Sequence, residues 1–223
     1  MFEWLKTSDS NEGLERMRQQ LGSMLSDGRH IFDAAANAFL GGADPEVIRE
    51  DLFATDKRIN KTERSIRRQA VVHGSVHGSS QLPTCLVLMS IVKDAERIGD
   101  YSKNIFDVAL LKQKCKDAYF DDLLDHKNQI SALLQQATEL YSAQDESGSS
   151  EFLERGDAMQ DHYDNQVEAL LGEDPGTTQP AATALCYRYY KRIVAHLLNI
   201  ITSVVMPLDK LDYFDEAHET RDQ

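Results

Sequence analysis

Residues 95–105 read Ala-Glu-Arg-Ile-Gly-Asp-Tyr-Ser-Lys-Asn-Ile, and the stripe that runs through them sets the fold. Leu88, Ile91, Ala95, Ile98, Ser102, Ile105 and Ala109 recur at alternating spacings of three and four. That is the seam of a helix packed against other helices. Beside it stand Glu96 and Asp100, i and i+4, with carboxylates on one face about one turn apart. Like charges so placed repel, and an arginine, a metal ion or water must offset them.

The stretch 56–70 answers it. Its seam is Leu52, Asp56, Ile59, Glu63, Ile66 and Ala70, so two acids take positions that the pattern gives to core side chains. Buried acids are expensive unless paired or coordinated. Acids in one seam and a carboxylate pair beside another point to a shared polyvalent cation, for which hard oxygen ligands are suited.

Working outward, the chain reads as helices throughout. Leu14, Met17, Leu21, Met24, Gly28, Ile31, Ala35 and Ala38 stripe a first helix that begins near Ser10 and ends at Gly41-Gly42. Asp44 and Pro45 are the N-cap and first-turn proline of a second, which runs to about His73 before a turn bracketed by Gly74 and Gly78. Pro83 opens a third that continues to about Lys116. A fourth spans about 119–143 and buries Leu123 or Leu124, Ile130, Leu133, Ala137 and Leu140. A polar linker, 144–150, a fifth helix over 151–171 and a loop over 172–179 follow. Pro180 starts the sixth, Pro207 kinks or ends it, and the acidic tail from 215 is expected to fray.

Six helices invite a test for repetition. Asp56, Ile59, Glu63 and Ile66 lie on Asp157, Gln160, Asp164 and Val167, and the row Asp157, Asp161, Asp164 parallels Asp56, Asn60, Glu63. The run 96–105 lies on 191–200, with Lys191 for Glu96 and Ala195 for Asp100. The expected fold is therefore all-α: two tandem antiparallel three-helix bundles, residues 1–116 and a diverged 117–223, the second having lost one acidic row.

The totals narrow the function. Of 223 residues, 41% are hydrophobic, enough for a real core. A net charge of −13 excludes a nucleic-acid backbone as partner. Cys85, Cys115 and Cys186 lie far apart without a Cys-x-x-Cys pair, which reads as reduced, buried thiols. The start, Met-Phe-Glu-Trp-Leu-Lys, is not that of a signal peptide, and the most apolar stretch, 197–208, is too short to span a bilayer. A soluble, intracellular protein is expected.

The seven histidines form no Glu-x-x-His pair, which counts against a di-iron oxidase bundle. No hydrolase elbow, phosphate-binding glycine loop or zinc-protease motif occurs, so no enzyme is expected. Lys57, Lys61, Arg64 and Arg68 form a basic stripe, either pairing with nearby acids or docking an acidic partner. Trp4, Tyr187, Tyr189 and Tyr190 are core or interface aromatics.

The runs Asp56-Lys-Arg-Ile-Asn-Lys-Thr-Glu63-Arg-Ser-Ile66 and Glu96-Arg-Ile-Gly-Asp100-Tyr-Ser-Lys-Asn-Ile105 resemble those of the PhoU family of phosphate-uptake regulators. The resemblance implies two tandem three-helix bundles. It implies a bacterial regulator, cytoplasmic and peripheral to the inner membrane through its partners: a phosphate transporter component, a membrane sensor histidine kinase, or both. A homodimer is expected, without insertion into the membrane. The family binds metal clusters through acid-xxx-Asp motifs. Carried over, Glu96 and Asp100 match that motif, Asp56, Asn60 and Glu63 its companion, and Asp157 and Asp161 keep one motif in the second half with Asp164 beside it. Lys191 and Ala195 break the other, although His196 is available there. The ion is divalent or trivalent: iron, zinc or magnesium. The competing reading is a carboxylate-rich metalloprotein, a metal store or oxidase.

Overall fold

The computed structural model describes residues 3–111, 118–172 and 180–215. Six helices account for most of them: α1 (Glu3–Phe39), α2 (Pro45–His77), α3 (Leu82–Leu111), α4 (Phe120–Ala143), α5 (Glu146–Leu171) and α6 (Pro180–Val205). Short 3-10 turns follow α2 at Gly78–Ser80 and α6 at Leu208–Lys210 and Tyr213–Asp215. The fold is all-α, and no strand occurs among the described residues.

The seams read from the sequence are the seams that pack. Leu88, Ile91, Ala95, Ile98, Ser102, Ile105 and Ala109 of α3 are all buried, as are Leu52, Ile59, Glu63, Ile66 and Ala70 of α2. On α4 the core residue is Leu123, while Leu124 is exposed. Tyr187 and Tyr190 are fully buried, so they belong to the core; Tyr190 meets Phe32 of α1 edge-on, ring centres 5.6 Å apart.

Helix boundaries shift where local chemistry outweighs a breaker residue. The first helix starts at Glu3 rather than near Ser10, and no proline or glycine stands in that stretch to stop it. The second runs through Gly74 to His77. Gly74 faces α3, where a Cβ would stand in ordinary contact with Leu82 and Cys85 at 3.6–3.7 Å, so it sits within a continuous helix rather than turning the chain. The turn belongs to Gly78, whose φ of 70° suits a residue without a side chain. Much of the expected linker over 144–150 is the first turn of α5. Asp145 caps it, its Oδ1 accepting from the amides of Ser147 and Gly148 at 3.1 Å each. Helix α6 stops at Val205, before the extended backbone of Pro207. The expected extension of α3 to Lys116, the loop beyond Gly172 and the tail beyond Asp215 lie outside the described residues.

Helices α1, α2 and α3 pack on one another. In the second half α5 and α6 pair closely, whereas α4 leans on α1 and α6 and touches α5 only sparingly. Helix α3 lies along α6, and one apolar core runs through all six helices. Two polar seams fix the register between halves. Across α1 and α4, Lys127 pairs with Asp33 at 3.1 Å, and the Ser131 hydroxyl donates to Asp33 at 2.9 Å. Across α3 and α6, Asp94 Oδ1 stands 2.8 Å from His196 Nδ1 and accepts from the Asn199 amide at 3.2 Å.

Candidate functional site

The acidic face forms where α2 crosses α3. Gly99 makes the crossing close: a Cβ there would lie 3.3 Å from Ile59, 3.4 Å from Ile31 and 4.0 Å from Asp56 Oδ1. The glycine of the Glu-Arg-Ile-Gly-Asp run therefore lets α1 and α2 approach α3 together and brings Asp56 over it.

Lys103 sits between the two helices. Its ammonium lies 2.9 Å from Asp56 Oδ1 and 3.0 Å from Asp100 Oδ1, and Arg97 reaches the other Asp100 oxygen at 3.3 Å. Burial works against the charge on Lys103, but hydrogen bonds to both aspartates outweigh it and hold the ammonium above its usual range. Glu96 is buried and pairs with Lys93 at 2.5 Å. Glu63, also buried, has Arg67 Nη1 at 3.1 Å. That approach is misaligned, so Glu63 Oε1 is an ion-pair oxygen with no hydrogen bond. The Asn60 carbonyl accepts from Arg64 Nε at 3.0 Å, and its side chain is half-buried on the same helix.

All four expected carboxylates are thus on adjoining faces, each beside a basic side chain. The donor set is all oxygen, as a hard cation prefers. As placed, however, no three of these carboxylates bring oxygens within 4.8 Å of one another, and Lys103 occupies the space between Asp56 and Asp100. A cation entering here competes with that ammonium.

The second half makes the charge balance covalent to the chain. Lys191, in the place of Glu96, pairs with Asp164, in the place of Glu63, and Arg188 adds a longer contact at 3.8 Å. Asp157 is half-buried and Asp161 exposed on the same helix. His196 is taken up by Asp94 and stacks on Tyr101 at 5.6 Å rather than joining an acidic row.

The basic stripe on α2 is exposed. Lys57, Lys61 and Arg68 carry no ion pair among the described residues, and Arg64 only its Asn60 hydrogen bond. One turn further along the same face come Val72 and Val76, 59% and 71% exposed. Beside them lies a groove of about 550 Å³ lined by Gly13, Met17, Ser65, Arg68, Gln69, Val72, His73, Val76 and His77.

Residues 14–109 match the family model described as the PhoU domain. Both runs quoted from the sequence fall inside that stretch. The architecture as a whole is also that of solved PhoU structures. It matches the phosphate transport system regulatory protein PhoU from Streptococcus pneumoniae at a TM-score of 0.71 and 18% identity, over 92% of this chain and 96% of that one. It matches PhoU from Pseudomonas aeruginosa at a TM-score of 0.70 and 20% identity, over 92% and 97%. No curated protein sequence matches. No helix among the described residues is long and apolar enough to cross a membrane.

One cluster was not singled out from the sequence. Among the described residues, only Asp122, His126 and His162 bring three metal-ligating atoms within 4.8 Å of one another. The available signal was Asp122 and His126 at i, i+4 in the first two turns of α4; the third member comes from another helix, which spacing along the chain does not reveal.

Proposed function

We propose that the chain is a cytoplasmic regulator of phosphate transport that works by protein contact, on a transporter component or the sensor kinase coupled to it. The observation that carries this is the PhoU domain over residues 14–109, set in a PhoU architecture that extends over nearly the whole chain. The contact surface is the outward face of α2. Four cations in a row, none with an ion pair among the described residues, continue into Val72 and Val76, which gives a charged steering strip ending in an apolar anchor. In a chain of net charge −13, such a strip selects an acidic partner.

The acidic face on α2 and α3 belongs to the same reading, as the place where a metal ion tunes the helix crossing. Asp56, Glu63, Glu96 and Asp100 would hold it, with Asn60 beside them. An ion there supplies positive charge between α2 and α3 in place of Lys103.

The test is capture from phosphate-replete cells with the full chain as bait. The wild type is expected to retain a phosphate-uptake component. The variant Lys57→Glu/Lys61→Glu/Arg68→Glu is expected to lose it at least tenfold while melting at the same temperature. Failure of the wild type to retain any such component, or equal retention by the variant, rejects the reading. For the metal, elemental analysis of Lys103→Ala after iron, zinc or magnesium loading is expected to show more bound ion than the wild type, and Asp56→Asn/Asp100→Asn less.

A further inference from the structure

We propose that Asp122, His126 and His162 form a second metal site, of the zinc class, that clips α4 to α5. It is separate from the acidic face and independent of the regulatory reading.

The cluster is built. Asp122 Oδ2 lies 3.1 Å from His162 Nε2, and Asp122 Oδ1 lies 3.9 Å from His126 Nε2. Ligands at about 2.0–2.2 Å from a tetrahedral zinc stand roughly 3.3 Å apart, so these separations bracket the value needed. Two imidazoles and one carboxylate are a donor set that zinc and its neighbours in the transition series accept, with a fourth position left for water.

The surroundings orient each ligand. His126 Nδ1 is 3.0 Å from the buried Tyr163 hydroxyl. With the proton on Nδ1, the lone pair of Nε2 points toward Asp122, where the 3.9 Å gap is too long for a hydrogen bond. The Tyr187 hydroxyl donates to Asp122 Oδ2 at 2.6 Å and fixes the carboxylate. Burial keeps Tyr163 a neutral phenol, with its ionisation pushed well above the usual range. A phenol on a ligating imidazole and another on a ligating carboxylate are the outer contacts that metal sites use to hold their ligands.

One movement is needed. The two imidazole rings stack at 4.1 Å with planes 14° apart, so their lone pairs run side by side rather than converging. His162 is the less enclosed ring, 31% of its side chain being exposed against 11% for His126, with Tyr163 and Tyr187 edge-on beside it. Metal binding requires a χ rotation of His162 out of the stack that keeps its Nε2 near Asp122 and aims the lone pair toward the other two ligands. The consequence falls where the fold is thinnest: α4 and α5 barely touch, and the three ligands join them directly.

The full chain, stripped with chelator, is titrated with Zn²⁺ by calorimetry and with Co²⁺ by visible absorption. The expected result is a site with the intense visible bands of low-coordinate cobalt, which an all-oxygen site on the acidic face does not give, and a melting temperature several degrees higher with Zn²⁺. His162→Gln should abolish the cobalt bands, and Tyr163→Phe should weaken Zn²⁺ about 10-fold or more. Asp56→Asn/Asp100→Asn should leave them unchanged. Circular dichroism verifies folding of each variant, and should His162→Gln misfold, Tyr163→Phe and Asp122→Asn carry the test. Absence of cobalt bands in the wild type, their survival in folded His162→Gln, or their loss in Asp56→Asn/Asp100→Asn overturns the proposal.

Discussion

At the scale of single residues, the acids of the α2–α3 crossing show how a chain manages charge that its helix pattern sends inward. Glu63 and Glu96 are buried, and each takes a basic neighbour from its own helix, Arg67 at i+4 and Lys93 at i−3. Only Lys103 reaches across, from α3 to Asp56 on α2. Pairs of this kind cost desolvation as well as gaining attraction, so they hold register more than they add stability. His73 is the opposite case. Its Nε2 is buried without a hydrogen-bond partner, and burial first, then repulsion from His77, depresses its pKa. Arg68 and His77 line the same groove, so no carboxylate there offsets a second charge. The folded chain therefore binds this proton less readily than the unfolded one. The stability contribution is whole above pH ~6.5 and is lost as the pH falls toward the folded-state value. Urea midpoints of the wild type should fall relative to His73→Leu between pH 6.5 and 5, with a slope difference of at most ~1.4 kcal/mol per pH unit. Parallel curves would mean that the ring gains its proton without cost to the fold.

At the scale of elements, glycines mark where helices touch. Gly156 of α5 lies against Leu198 of α6, and a Cβ there would meet Cδ2 at 2.4 Å and Cγ at 3.2 Å. Leu198 is fully buried, so a shift of its Cδ2 displaces packed neighbours. Gly156→Ala gains about 1 kcal/mol in helix propensity and loses about 1–3 kcal/mol to overpacking. A net loss of stability is expected in chemical denaturation. Gly28→Ala, facing only Ile98 Cγ2 at 3.2 Å, should be nearly neutral. This is also where the sequence was read well and badly. Buried stripes at three-and-four spacing told which residues pack, because burial repeats with the helix. Boundaries failed at Gly74 and at 144–150, because a glycine looks the same whether it turns the chain or lies inside a helix, and because Asp145 caps a turn whose composition reads as linker. The acidic residues were legible, but the bases that meet them were only partly so. Lys103 and Arg97 stand beside the acids in sequence, whereas Arg67 and Lys93 went unread, and partnership depends on side-chain direction. The Asp122, His126 and His162 cluster needs two helices to exist and is invisible in either one.

At the scale of the molecule, the two halves are joined by more than adjacency. Asp94 receives His196 and Asn199, and Tyr101 of α3 stacks on His196 and leans on Tyr189 of α6. Groups that share one network couple. A double-mutant cycle with Asp94→Ala and His196→Ala should give an interaction energy of about 0.5–3 kcal/mol in urea unfolding, with both single variants destabilised. Additive effects would show that the apolar core alone joins α3 to α6.

The α3–α6 seam makes helices α1–α3 and α4–α6 poor candidates for exchange as separate blocks. A chimera that keeps α1, α2 and α3 and borrows the remaining helices from one of the structurally similar proteins would set Asp94 and Tyr101 against foreign residues. Because α3 also packs on α1 and α2, an exchange has to keep Asp94 and Tyr101 matched to His196, Asn199 and Tyr189 across the seam. The two halves that the sequence leads one to expect are therefore not units in which this protein tolerates recombination.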